Sequence, residues 1–244
     1  RDSQFQYINK TAREFLDLSE PVISVDTKKK ELIGDFKNGS REYRPKGEPI
    51  KTSAYDFPSQ SEAKAIPYGI YDVGENAGWV SVGIDKDTAR FAVNSIKSWW
   101  YKMGCSHYGH ASQILITADN GGSNGSKNKL WKKCLQDFAN ETGLRITMCH
   151  FPPGTSKWNK IEHSLCSFIT MNWRGHQLTS LQAVIKLINS VTTKKGLKVK
   201  AELDQNSYEK GLKVSEEEMQ QISLQKHEFH GDWNYTIHPN RNVS

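Results

Sequence analysis

The sequence predicts an α/β fold, a mixed sheet with helices packed on it. Three observations carry this. The runs YGIYDV and GWVSVGI are apolar, strand-like and close together, as neighbouring strands of a hairpin are. After them, the short apolar runs ILITAD and LRITMCHF alternate with segments whose apolar residues recur at helical spacing. No repeat, low-complexity tract or internal linker divides the 244 residues, which suffice for one sizeable core.

The elements follow in order. In FQYINKTAREFLDL, the residues Phe5, Ile8, Ala12, Phe15 and Leu16 share a helix face, and Pro21 stops the helix. Val22, Ile23 and Val25 form a strand that carries Asp26. Lys28, Lys29 and Lys30 make a polar connection to a second strand, marked by Leu32, Ile33 and Phe36 and closed by Asn38-Gly39. Residues 41–67, rich in Pro, Lys and Ser, read as an irregular excursion before the hairpin strands. Thr88 starts a helix through Phe91, Ala92, Ile96, Trp99 and Trp100. ILITAD is followed by a helix through Leu130, Trp131, Cys134, Leu135 and Phe138. LRITMCHF ends at Pro152-Pro153-Gly154. SKWNKIEHSLCSFITMNW reads as helical throughout, with Trp158, Ile161, Leu165, Phe168 and Ile169 on its apolar side and Trp158 in the core. Leu181, Val184, Ile185, Ile188 and Val191 mark one more helix. From about 195 the tail is expected to pack on the body, anchored by Phe229, Trp233 and Tyr235 in HEFHGDWNYTIHP.

Lys plus Arg exceed Asp plus Glu by 33 − 27 = 6, and the pI is near 9.0. That permits a polyanionic partner such as nucleic acid without proving one. Cys105, Cys134, Cys149 and Cys166 form no C-x-x-C pair, which favours a reduced, cytosolic protein. No apolar run approaches the roughly 20 residues that span a bilayer. The chain opens on Arg1 without a signal peptide, and an upstream region is expected to be missing.

Three acids share a kind of position. Asp26 and Asp119 close apolar strands, and Glu162 lies one turn into the helix after PPGTSKWN. Strand ends at one sheet edge gather side chains from distant parts of the chain. Carboxylates brought together repel unless cations lie between them, and hard divalent ions such as Mg²⁺ take oxygen ligands. Two such ions about 4 Å apart support phosphoryl transfer. Each acid also has a plain structural reading: Asp26 as a turn residue, Asp119 as a cap before GGSNG, and Glu162 as a solvated helix residue.

SVDTKKKELIGDFKNGSREYRPKG, KAIPYGIYDV, ITADNGGSNG, CHFPPGTSKWNKIEH and HEFHGDWNYTI resemble the Rhodopirellula-type insertion-sequence transposases (the ISAzo group). These belong to the DDE superfamily, with a ribonuclease-H-like catalytic domain. The resemblance runs from Arg1 to the WNY near 235. It implies one ribonuclease-H-like catalytic domain over residues 1–244, with a family-specific extension from about 195, and an upstream DNA-binding region that is absent. It implies catalysis and metal binding by Asp26, Asp119 and Glu162, with Mg²⁺ as cofactor and Mn²⁺ as its substitute. Transposon ends and target DNA are the implied partners, with self-association on the DNA, in the bacterial cytoplasm at the nucleoid. Asn120 stands where the family is expected to have glycine, so its side chain narrows the turn or adds a polar contact. Two alternatives stay open: a metal-dependent nuclease without transposition, and a non-catalytic DNA-binding remnant.

Around these acids, Lys127, Lys129, Lys132 and Lys133 follow Asp119, and Lys157 and Lys160 precede Glu162. They are candidate phosphate contacts or a solvated helix face, and Arg174 is a further DNA candidate. His163 orients a phosphate or a water, or is a surface histidine. GGSNGSKNK fails the phosphate-loop pattern, because Lys127 is followed by Asn128. The spacing of Cys149, His150, His163 and Cys166 is too irregular to favour zinc.

Overall fold

The computed structural model describes residues 2–34 and 64–240. Among them, nine strands form one mixed sheet: β1 (Val22–Thr27), β2 (Glu31–Leu32), β3 (Lys64–Asp72), β4 (Ala77–Gly83), β5 (Gln113–Ala118), β6 (Arg145–His150), β7 (Lys198–Asp204), β8 (Leu224–Lys226) and β9 (Asn234–Ile237). The order is β7-β4-β3-β1-β5-β6-β9-β8, with β2 paired to β3 off that path. In the central five, β4-β3-β1-β5-β6, only β3 runs against the others. This is the ribonuclease-H-like mixed sheet expected from the sequence.

The helices are α1 (Asp2–Asp17), α2 (Ala89–Trp99), the single turn α3 (Cys105–His107), α4 (Lys129–Thr142), α5 (Ser167–Trp173), α6 (Leu181–Asn189) and α7 (Glu216–Gln220). Their starts follow from local chemistry. Thr88 Oγ1 accepts from Phe91 N at 3.2 Å, and Asn128 Oδ1 accepts from Trp131 N at 3.2 Å, each satisfying an amide with no partner inside its helix. Gly143, at φ +75°, ends α4 in the left-handed conformation that glycine adopts without strain.

The two-residue period of the strands sorts them between two layers of helices. Ile23 and Val25 of β1 and Ile114 and Ile116 of β5 pack with α2 and α4 through Phe91, Ile96, Trp131 and Phe138. On the opposite face, Val22 and Leu115 meet Ile8, Ala12 and Phe15 of α1. Beside them Val80, Val82 and Val199 meet Leu165, Ile169, Val184 and Ile188. Burying each such side chain stabilises the fold by roughly 1.5–3 kcal/mol. No helix among the described residues is long and apolar enough to cross a membrane.

Several boundaries depart from the sequence reading. β3 begins at Lys64, inside the segment read as an irregular excursion. Pro67 made that stretch look non-extended. Its carbonyl accepts from Lys28 N at 2.9 Å, one step past the last register pair, so the donor it lacks belongs to the end of the ladder. β2 spans two residues only, and Phe36 and Asn38-Gly39 lie outside the described residues. The expected helix from Ser156 is instead a 3₁₀ turn (Ser156–Trp158), after which extended Asn159 leads into the helix. Trp158 is consequently 58 % exposed and outside the core, contacting Phe5 edge-on. The tail packs on the body as expected, and does so by adding β7 at one border and β9 and β8 at the other. Along β7, the Asn189 carboxamide accepts from Ala201 N at 2.7 Å and donates to Ala201 O at 3.3 Å, acting as one residue of a further strand.

Candidate active site

β1 and β5 lie side by side and parallel, in a register whose last pair is Val25 with Ala118. The next residues are Asp26 and Asp119, so the topology sets both acids at neighbouring strand ends. At the ~4.8 Å spacing of adjacent strands, two unit charges repel by roughly 3 kcal/mol at an effective dielectric of about 20. The effect is visible at Asp26. Burial first, and then the charge of Asp119 and that of Glu162, push its carboxyl up to about 8, although Thr27 N donates to it at 2.7 Å. Asp119 is also raised, mainly by burial, against the pull of the Gly121 amide.

Glu162 reaches this place through close packing. Asp26 is opposite Gly69 on β3, and a methyl group on Gly69 would lie 2.9 Å from Ile161 Cδ1. One on Gly78 would lie 2.7 Å from Leu165 Cδ1. The two glycines let a π-helical turn, Glu162–Cys166, lie flush on the sheet. Ser24 Oγ donates to Asn159 Oδ1 and accepts from Ile161 N at 3.0 Å. Asn159 Nδ2 donates to Val25 O at 3.0 Å, and Asn159 O accepts from Glu162 N at 3.1 Å.

The turn after Asp119 is held from three sides. Asn120 Oδ1 accepts from Ser126 N at 3.0 Å, the polar contact expected if that position is not glycine. Tyr68 OH donates to Asn124 Oδ1 at 2.8 Å beneath the 3₁₀ turn Gly122–Asn124. His150 Nδ1 lies 3.2 Å from the carbonyl of Asp119, and its Nε2 is 3.1 Å from Tyr235 OH. Burial pushes the His150 imidazole down to about 4, so it is neutral at pH 7. Facing a carbonyl, Nδ1 must carry the proton, and Nε2 then accepts from Tyr235. Both nitrogens are engaged, which leaves neither for zinc.

The remaining candidates divide. Lys129 pairs with Glu216, and Lys133 with Asp137 at 2.7 Å. Lys132 is half-buried with its ammonium 5.2 Å from the centre of the Tyr235 ring. Lys127, Lys157, Lys160 and Arg174 are exposed. His163 is exposed too, with Nε2 against the Lys157 carbonyl, tying the 3₁₀ turn to the helix. Sequence reasoning missed Asp87, which accepts from Thr27 Oγ1 at 3.3 Å and raises Asp119 through its charge. It also missed Lys28, half-buried 4.1 Å from the Trp173 ring centre and paired with Glu31 at 3.4 Å. Lys28 lies two residues past Asp26, a period-two signal that could have found it.

Among the described residues, no group of three or more His, Cys, Asp or Glu side chains is placed to hold a metal ion. The donor set is nonetheless all oxygen, crowded and electrostatically frustrated, which fits a hard divalent cation with ligands still to come from a substrate.

Residues 1–239 match the family described as the Rhodopirellula transposase DDE domain. No curated protein shows significant similarity to the chain. Solved structures with a similar fold include the Mos1 transposase paired-end complex with left transposon end, 11 % identical, covering 76 % of this chain and 51 % of that one at a TM-score of 0.47. Another is the Mos1 mariner paired-end complex with Mn, 14 % identical, covering 75 % and 52 %, TM-score 0.45. A third is the Mos1 strand transfer complex, 12 % identical, covering 76 % and 50 %, TM-score 0.46. The chain spans about half the length of these solved chains.

Proposed function

The chain belongs to the Rhodopirellula transposase DDE domain family, and from that premise we propose that it cuts and joins DNA at the ends of an insertion element. The observation that supports this best is the crowding of Asp26, Asp119 and Glu162, in which burial and mutual repulsion hold Asp26 up to about 8. Asp26 feels both other acids, and the three carboxylates would together hold Mg²⁺, or Mn²⁺ in its place. Bound there, the metal would lower the pKa of an attacking hydroxyl and stabilise the leaving oxygen.

In the first step a water oxygen forms a bond to the phosphorus at the element's end. The bond to the 3′ oxygen breaks, and that oxygen leaves as a hydroxyl. In the second step this 3′ hydroxyl attacks a target phosphodiester, loses its proton, and displaces the target's own 3′ oxygen. Lys127, Lys157, Lys160 and Arg174 are the exposed cations proposed to hold DNA phosphates. Self-association would bring two ends together.

The test is a joining assay. The protein is incubated with DNA carrying the element's ends, a circular target and Mg²⁺. Products joined through the 3′ end are expected from the wild-type chain and absent from Asp26→Asn, Asp119→Asn and Glu162→Gln. Cutting without joining would establish the nuclease reading instead. Equal outcomes for wild type and all three variants would sink the assignment of the acids.

A further inference from the structure

We infer that Ser24 and Asn159 are positioning residues for Glu162, forming a buried clamp that starts the Glu162 helix on the same strand that carries Asp26. The inference rests on the reading of Glu162 as a catalytic acid. Both residues are 0 % exposed and lie 135 positions apart. An asparagine just ahead of a helix ordinarily turns its side chain back onto the helix's own first amides. Asn159 does not. Its carboxamide points to β1, accepting from Ser24 Oγ and donating to Val25 O. The amide of Ile161 is taken instead by Ser24 Oγ, at 3.0 Å. The helix is therefore capped from another element, and its first turn can form only where β1 is. Ser24 precedes Asp26 by two residues on the same face of β1, and Asn159 precedes Glu162 by three. The distance between the two acids is thus set by three short hydrogen bonds rather than by the long chain between them.

The polar cost fixes the arrangement further. A buried carboxamide or amide left unpaired is costly, and a displaced helix would leave several such groups unsatisfied together. Gly69 and Gly78 supply the room for close approach, and the clamp supplies the register along the strand.

The experiment compares wild type, Ser24→Ala, Ser24→Thr, Asn159→Gln and Glu162→Gln. For each it measures Mn²⁺ affinity by electron paramagnetic resonance, kcat and KM for cleavage of end DNA, and Tm. Ser24→Ala and Asn159→Gln are expected to lose about 10- to 100-fold in Mn²⁺ affinity and in kcat, as for other residues that orient metal ligands. KM for DNA stays level, and Ser24→Thr, which keeps the hydroxyl, restores both. A merely structural role would lower Tm and leave Mn²⁺ affinity and kcat of the folded protein at wild-type values, and that result overturns the inference. Should neither variant fold, amide hydrogen exchange in the wild-type protein decides: Ile161 N–H is expected to be strongly protected, and exchange as fast as an open amide overturns the clamp. Glu162→Gln separates the two readings. If it alone keeps wild-type metal binding and cleavage, the catalytic reading of Glu162 fails, whatever the clamp variants do.

Discussion

Asp26 is held where its charge is least welcome. The residues before it on β1 are buried, Asp119 follows on the adjacent strand, and Glu162 is packed down from the helix layer. A site that concentrates like charge gives up stability for function. The neutral isostere Asp26→Asn is accordingly expected to raise metal-free stability by about 1 kcal/mol, or ~2–4 °C in Tm for a chain of this size. The same change is expected to lower cleavage by at least about 10³-fold. Calorimetry of the metal-free variant checks the first expectation, and a Tm below wild type would count against burial and repulsion of the Asp26 charge as a cost to the fold. Asp26 and Asp119 could be singled out from sequence because acids that end apolar runs stand out against them. Ser24, Asn159, His150 and Tyr68 could not. Their roles lie in partners far along the chain, such as Tyr235 for His150, 85 positions away. Nothing in the local sequence separates a clamp serine from any strand serine.

The helix that bears Glu162 lies on β3 and β4 because two positions there lack a side chain. A methyl group at Gly78 would press on Leu165, a branched residue already fully buried. Gly78→Ala is expected to destabilise the fold by about 1–3 kcal/mol, as overpacking does, and to weaken Mn²⁺ binding by lifting Glu162. Pairing it with Leu165→Ala should recover part of the metal affinity, and a double variant no better than Gly78→Ala would refute steric lifting. Most elements were legible from their periodicity: the strands at 22–27, 113–118 and 145–150 and the helices at 89–99 and 129–142 lie where apolar spacing sets them. The misreadings have one physical source. At Pro67, Trp158 and the last strands, the ladder or surface that a residue joins decides its conformation, and that surface is built by other segments. Pro67 is tolerated at a ladder end, and Trp158 is turned outward when Asn159 is drawn to β1.

Across the whole molecule, the excess of six positive charges is unevenly available. Lys129 and Lys133 face carboxylates of their own, while Lys127, Lys157, Lys160 and Arg174 are exposed, and among the described residues no ion pair engages them. Replacing Lys157 and Lys160 together by alanine is expected to flatten the dependence of log K for duplex DNA on log salt by about 1–2. Replacing Lys129 and Lys133 should change it less, because their charge is already partly neutralised. Titrations at several salt concentrations give both slopes, and equal changes for the two pairs would remove the distinction. The border of the sheet at β7 leads to a different consequence. An open strand edge invites a second chain to zip on, the first move toward domain swapping or fibrils. Asn189 occupies the rung at Ala201 with its own amide. It works as a stopper against edge-to-edge pairing there. Asn189→Ala should show this as faster, concentration-dependent light scattering at a temperature where the fold itself stays intact.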